Sequence, residues 1–178
     1  MVLTLTRPMA DVELITNMPT MQKAVDAANN YLNLKARKPV SGITDFEEAE
    51  QAQELADAYE RMKKTKQECD DSTVVLHLTG LPSSQWRQIT LKTVIAQDDG
   101  TYLTDLPEQA ILALPDMLKS ANFKNGTDVP VADVLAILPE LSDSQLADIM
   151  TAVQNLNNPS TVLPKEIGQI ISDSATTL

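Results

Sequence analysis

Catalysis needs polar side chains that converge, and this chain of 178 residues offers few of them. His77 is its one histidine and the first candidate for a general base or a metal ligand. It sits inside the run Thr73-Val74-Val75-Leu76-His77-Leu78, however, alternating with Val74, Leu76 and Leu78. A place on the solvated side of a half-buried strand accounts for it. Cys69, the single cysteine, would need a partner base to act as a nucleophile, and its neighbours Glu68, Asp70 and Asp71 disfavour a thiolate. It reads as an inert thiol. The pairs Asp70-Asp71 and Asp98-Asp99 invite a metal or glycosidase interpretation, but adjacent carboxylates point apart and no calcium-loop spacing follows either pair. A helix boundary and a turn explain them. With five glycines in all, the chain has no Walker-type loop, no Gly-x-Gly-x-x-Gly, no His-Glu-x-x-His and no Gly-x-Ser-x-Gly. The sequence does not look catalytic, and no cofactor or metal is expected.

Composition narrows the remaining classes. Lys plus Arg is 14 against 25 for Asp plus Glu, a formal net charge of -11. Affinity for phosphates comes from clustered bases, so neither a nucleic acid nor an anionic membrane is the expected partner. Aromatic residues are 3% of the chain, so the core must be aliphatic. The N-terminus, Met-Val-Leu-Thr-Leu-Thr-Arg-Pro, lacks the basic and apolar regions of a secretory signal. No stretch reaches the ~18 apolar residues of a membrane span. A lone cysteine suits a reducing compartment. The expectation is a soluble, acidic, intracellular protein.

The elements that would position any site are mostly helical. Residues 19–34 form a helix with Pro19 near its first position, and residues 35–42 resemble a linker. Thr44 and Glu47 make a capping box ahead of a long helix with acids at its start and Arg61, Lys63, Lys64 and Lys66 at its far end. That helix is expected to hairpin against residues 19–34. Residues 73–78 are the convincing strand, which needs a partner from residues 12–15, residues 101–103 or another subunit. Beyond Leu81 the pattern is of short helices: one bearing Trp86 and Ile89, then 106–118, then 131–138, then 142–156 behind the capping box of Ser142 and Gln145. Residues 163–172 add a last short helix. The fold class expected is therefore mainly α. A charged helical N-terminal region (1–72) precedes a small all-α globule (73–160) with one or two short strands, then a short helix and flexible tail (161–178).

Trp86 stands out as the single tryptophan, either an interface anchor or, more commonly for such a residue, a core anchor. It also opens a series of motifs. Leu81-Pro82-x-x-Gln85-Trp86 follows the strand, and an Asp99-Gly100 turn follows that. Next come the Leu-rich helix at 106–118, Val131-x-x-Val134, Leu141-Ser142-Asp143-x-Gln145, and Val153-x-x-Leu156-Asn157. In this order they resemble the tail assembly chaperones of long-tailed bacteriophages of Gram-positive, mostly actinobacterial, hosts. That family places a charged helical region before a strand and a Leu-Pro-x-x-Glu-Trp helix, and ends its last main helix in Leu-Asn. Gln85 stands where the family usually has an acid, and the His-Pro that often follows the Trp helix is absent.

The resemblance implies a non-enzymatic protein of the host cytoplasm. It would bind the tape-measure protein, keep it soluble, promote tail-tube assembly and leave before the virion is complete. It also implies a longer form of the same protein made by ribosomal frameshifting. An apolar groove between the helices of residues 106–118 and 131–156 is the expected docking site. Its candidate residues are Trp86, Leu112, Met117, Leu118, Leu135 and Met150, the methionines being suited to varied surfaces. The lone strand also points to a homo-oligomer formed by strand pairing. Two rivals share the composition: a structural tail or head-completion protein of the virion, and an acidic nucleic-acid mimic that inhibits a DNA-binding protein.

Overall fold

In Met9–Ile15 and Thr73–Thr79 every second side chain is apolar and turned inward, with Val12 and Leu14 buried opposite Leu76 and Val74, and half-buried Ala10 opposite buried Leu78. That period of two makes each segment a strand with one dry face. The computed structural model describes residues 6–37 and 45–158. In it these segments are β1 (Met9–Ile15) and β2 (Thr73–Thr79), paired antiparallel from Met9↔Thr79 to Ile15↔Thr73. Between them the chain runs out along α1 (Met18–Ala36) and back along α2 (Asp45–Asp71). A helical hairpin therefore replaces the turn of a β-hairpin. At 1.5 Å per residue, α2 is about 40 Å long.

The base of this hairpin is stitched by short polar side chains. Asn17 caps α1 by accepting from the Thr20 amide, the Thr16 hydroxyl donates to Ser72 O (2.6 Å), and the Thr20 and Ser72 hydroxyls meet at 3.2 Å. Farther out, Ala27 and Ala58 are the buried residues, small enough to let the helices approach, and the rings of Tyr31 and Tyr59 lie 5.6 Å apart. The expected hairpin of these two helices is present. The linker residues 38–42, the Thr44 cap and the helix at 163–172 lie outside the described residues.

After β2 come α3 (Ser83–Lys92), the short strands β3 (Val94–Ala96) and β4 (Tyr102–Thr104), and α4 (Leu106–Met117). They are followed by β5 (Leu118–Phe123), β6 (Asp128–Val129), α5 (Val131–Ile137), a 3-10 turn at Leu138–Glu140 and α6 (Asp143–Asn157). The main sheet has the order β1-β2-β5-β6, antiparallel throughout, with a bulge between His77 and Leu78 where β2 meets β5. β3 and β4 form a separate two-stranded ribbon. Leu76, Leu78, Ala113, Leu114, Met117 and Ile149 are completely buried in the core cluster shared by sheet and helices.

This architecture corrects the expected fold class. The protein is mixed α/β, with a four-stranded antiparallel sheet and a second ribbon, rather than mainly α around an all-α globule. The N-terminal region is no helical appendage either, because β1 is a strand of the same sheet. Two segments carry the difference. Leu118–Phe123, Leu-Lys-Ser-Ala-Asn-Phe, is poor in β-branched residues and follows directly on a helix, so local propensity hides it. It is a strand because it pairs with β2. β1 is interrupted by Asp11 and Glu13, which occupy its solvated face.

One glycine is needed for close approach. A Cβ on Gly80 would stand 2.7 Å from the carbonyl oxygen of Leu156, a backbone atom. Gly80→Ala should therefore push α6 away from the end of β2 and destabilise by about 1–3 kcal/mol. A midpoint of urea unfolding equal to wild type would disprove that contact.

Candidate partner-binding surface

The polar face of the sheet gathers the chemistry that the sequence singled out. His77, in the central strand β2, has Nδ1 at 2.7 Å from Asp11 Oδ1 on β1 and Nε2 at 2.6 Å from Asn122 Oδ1 on β5. Asn122 Nδ2 donates to Phe123 O (2.8 Å), which fixes its oxygen toward the ring. With an acceptor at each nitrogen, the ring is best served by two protons. The bonds to Asn122 and then Asp11 hold the His77 pKa above its ordinary 6.5. Such an imidazolium has no lone pair to offer, so Ser120, opposite it in the register, has no base at hand. His77 ties three strands together.

A pH dependence follows from the sign of this shift. A group whose folded pKa is raised stabilises the fold fully below its unfolded pKa and loses that contribution as pH rises through the folded value. The melting temperature should therefore fall as pH is raised from about 6 through the shifted pKa. His77→Gln should flatten that segment of the profile. An unchanged slope in the variant would assign it to another group.

Lys124, Asp70 and Asp99 are held in structural contacts as well. Lys124 bridges Glu13 (2.7 Å) and Asp70 (3.1 Å), with its pKa raised by both, and Asp70 also pairs with Lys66. The hydrogen bond from Lys66, with that from Lys124, lowers the Asp70 pKa. These bonds hold the end of α2 beside β1 and β5. Asp99 accepts from the amide and the hydroxyl of Thr101, which lowers its pKa and locks the turn before Thr101. Among the described residues no group of three His, Cys, Asp or Glu side chains could hold a metal, and no helix is long and apolar enough to cross a membrane.

Two of the motifs behind the resemblance meet in space. The Leu81 amide donates to Asn157 Oδ1 (2.7 Å), and Trp86 Nε1 donates to Asn158 Oδ1 (3.3 Å). From there a closed ring of polar bonds runs through α6, α4 and α3. Asn158 Nδ2 donates to Gln154, Gln154 to Gln109, Gln109 Nε2 to the Thr90 hydroxyl, and that hydroxyl to the Trp86 carbonyl. Gln109 is 1% exposed, and both its side-chain nitrogen and its oxygen have a partner. The Leu-Pro…Trp segment and the Leu-Asn segment thus form one joint.

The candidate docking residues divide. Trp86 and Met117 are buried in the core, and so is Leu118, the first residue of β5. Leu135 and Met150 are half-buried against that core. Leu112 is exposed. The apolar stripes of α4 and α6 pack against each other within the core cluster. A recess of about 300 Å³ opens beside α5, lined by Leu14, Val74, Phe123, Val134 and Ile137 with Asp128 and Asp133.

The larger apolar surface is elsewhere. Leu91 (68%), Val94, Ile95, Tyr102 (73%), Leu103 and Leu106 are all exposed, and with Leu112 they fall within one stretch from the end of α3 to the middle of α4. Most of it is the β3–β4 ribbon, whose residues are exposed on both sides, with Ile95 paired to Leu103. A two-stranded ribbon is marginal by itself, and clustered exposed aliphatics mark interaction sites. Sequence signals for it existed: Val94-Ile95-Ala96 and Tyr102-Leu103-Thr104 flank the Asp-Asp-Gly turn as hairpin arms do.

Comparison with family models, with curated proteins and with solved structures finds no match to this chain.

Proposed function

We propose that this chain is a bacteriophage tail assembly chaperone, a non-enzymatic protein that binds the tape-measure protein and keeps it soluble while the tail tube assembles. The observation that carries the proposal is the exposed apolar ribbon on a strongly acidic chain. A carrier needs apolar surface to cover that of its client and net charge to remain dispersed while doing so. The joint between Leu81, Trp86, Asn157 and Asn158 supports the family resemblance, since it gives its two best-defined motifs a shared structural task. In this role the chain acts in the host cytoplasm, is absent from the finished virion and works beside a longer frameshifted form of itself.

Co-expression with the tape-measure protein encoded beside it is the test. Soluble tape measure that co-purifies with the chain, and finished particles that lack the chain by mass spectrometry, are expected. An insoluble tape measure, with either this chain or its longer form, would overturn the proposal. Finding the chain in mature particles would make it a structural tail or head-completion protein instead.

A further inference from the structure

β1 ends the sheet, and no other strand among the described residues pairs with its outer side. Gly80 N donates to Pro8 O (3.0 Å) and Thr16 N to Ser72 O (3.2 Å), which turns the even-numbered residues of this segment toward β2. In an antiparallel pair the intervening residues then point their N–H and C=O groups away. Those residues are Met9, Asp11, Glu13 and Ile15. The Ile15 carbonyl is capped by Gln145 Nε2 (2.8 Å), whereas the outward backbone groups of Met9, Asp11 and Glu13 have no hydrogen-bond partner among the described residues. Alongside this edge runs a groove of about 580 Å³, walled on its helix side by Asp148, Thr151, Ala152 and Asn155 of α6. Natural sheets cover, shorten or twist away such edges. This one is seven residues long and has a furrow beside it.

We infer that β1 and α6 form a strand-addition site for an extended basic segment of another protein, one that pairs antiparallel with β1 and lays small apolar side chains into the groove. Main-chain bonds supply the affinity in this mode and alternate side chains the choice of partner. Three carboxylates, Asp11, Glu13 and Asp148, line the groove, and no Lys or Arg does. His77 pairs with Asp11, Lys124 is shared between Glu13 and Asp70, and Lys66 also pairs with Asp70, so three cations face the four carboxylates Asp11, Glu13, Asp70 and Asp148 and the neighbourhood keeps a net negative charge. A residue directly opposite Asp11 or Glu13 puts its side chain on their face of the sheet, where Lys or Arg is favoured. The next residue points to the groove side, where Thr151 and Ala152 leave room for Val or Ala. A second copy is the poorer occupant. Pairing two β1 strands would set the acids of one copy beside those of the other, and like charges opposite one another destabilise. This site is separate from the β3–β4 ribbon and stands whether or not the chain is a chaperone.

The probe is a synthetic peptide alternating Lys and Val, capped at both ends, titrated into the full-length chain labelled with 15N. Its Lys residues lie opposite Asp11 and Glu13, so their amides bond to β1. The Asp11 and Glu13 amide signals should shift and become protected from hydrogen exchange. N-methylation at the Lys amides should abolish binding and N-methylation at the Val amides should spare it. A Glu-Val peptide should bind at least about tenfold more weakly. Asp148→Lys, an exposed change in the helix wall, should narrow the preference for the Lys-Val peptide. No binding, or binding indifferent to N-methylation, would overturn the inference. Asp11 and Glu13 amides already protected before peptide is added would do so too, because the edge would then be covered by the chain itself or by a second copy.

Discussion

Truncating Trp86 to alanine is expected to lower the free energy of unfolding by about 3–5 kcal/mol, the range for removing a large aromatic from a core. The indole is 9% exposed and belongs to the core cluster with Ile89 and Leu156. Its N–H bonds to Asn158, and its own backbone carbonyl accepts from Thr90, so the residue closes the polar ring. Alanine would leave a cavity and an Asn158 oxygen without its donor. Domains are stable by roughly 5–15 kcal/mol, so about a fifth or more of the total is at stake. Trp86→Phe keeps most of the apolar area but loses the donor, and should cost nearer 1 kcal/mol. Equilibrium unfolding in urea separates the two. A loss of under about 1 kcal/mol in Trp86→Ala would deny the indole its core role and return it to the surface, where an interface anchor belongs.

The same residue shows how far the sequence could be read. Its candidate roles were legible from its placement after Leu81-Pro82, but choosing between them needed the position of α6, which joins that segment from more than seventy residues away. Helices declared themselves through local chemistry. The apolar spacing and capping box of 142–156, and the opposed charges along residues 45–66, each refer to near neighbours in the chain. β2 was equally visible because its β-branched run is long. Its partner was half visible: residues 12–15, one of two candidates within the chain beside another subunit's strand, lie within β1, while 101–103 overlap β4, which pairs with β3. β5 was invisible because Leu118–Phe123 becomes a strand through its neighbours on the sheet.

The site was less legible than the fold. Helical periodicity identifies which residues of α4 and α6 are apolar but not whether they face a partner or each other, and here they face each other. Met117, read as an adaptable contact residue, is completely buried for that reason. His77 was correctly placed on the solvated side of its strand. What the sequence lacked was Asp11 and Asn122, which reach it across the sheet from sixty-six and forty-five residues away.

If the β3–β4 ribbon is the docking surface for an apolar client, replacing Ile95 and Leu103 together by serine should abolish capture while leaving the chain folded. The two face each other across the ribbon, 49% and 58% exposed, so the free protein gains little from them. A cross-strand pair of this kind contributes roughly 0.2–1 kcal/mol to the fold. In a complex each side chain would be covered, and fully burying a large aliphatic is worth about 1.5–3 kcal/mol. Losing part of that at two positions amounts to about 3 kcal/mol, or roughly a hundredfold in the dissociation constant. The double variant should therefore show a near-native unfolding midpoint yet leave the tape-measure protein insoluble on co-expression. Ile137→Ser, at the exposed edge of the recess beside α5, serves as the matched control and should still capture it. Failure of the control with success of the ribbon variant would move the docking surface to α5. Capture by both would separate the exposed aliphatics from client binding altogether.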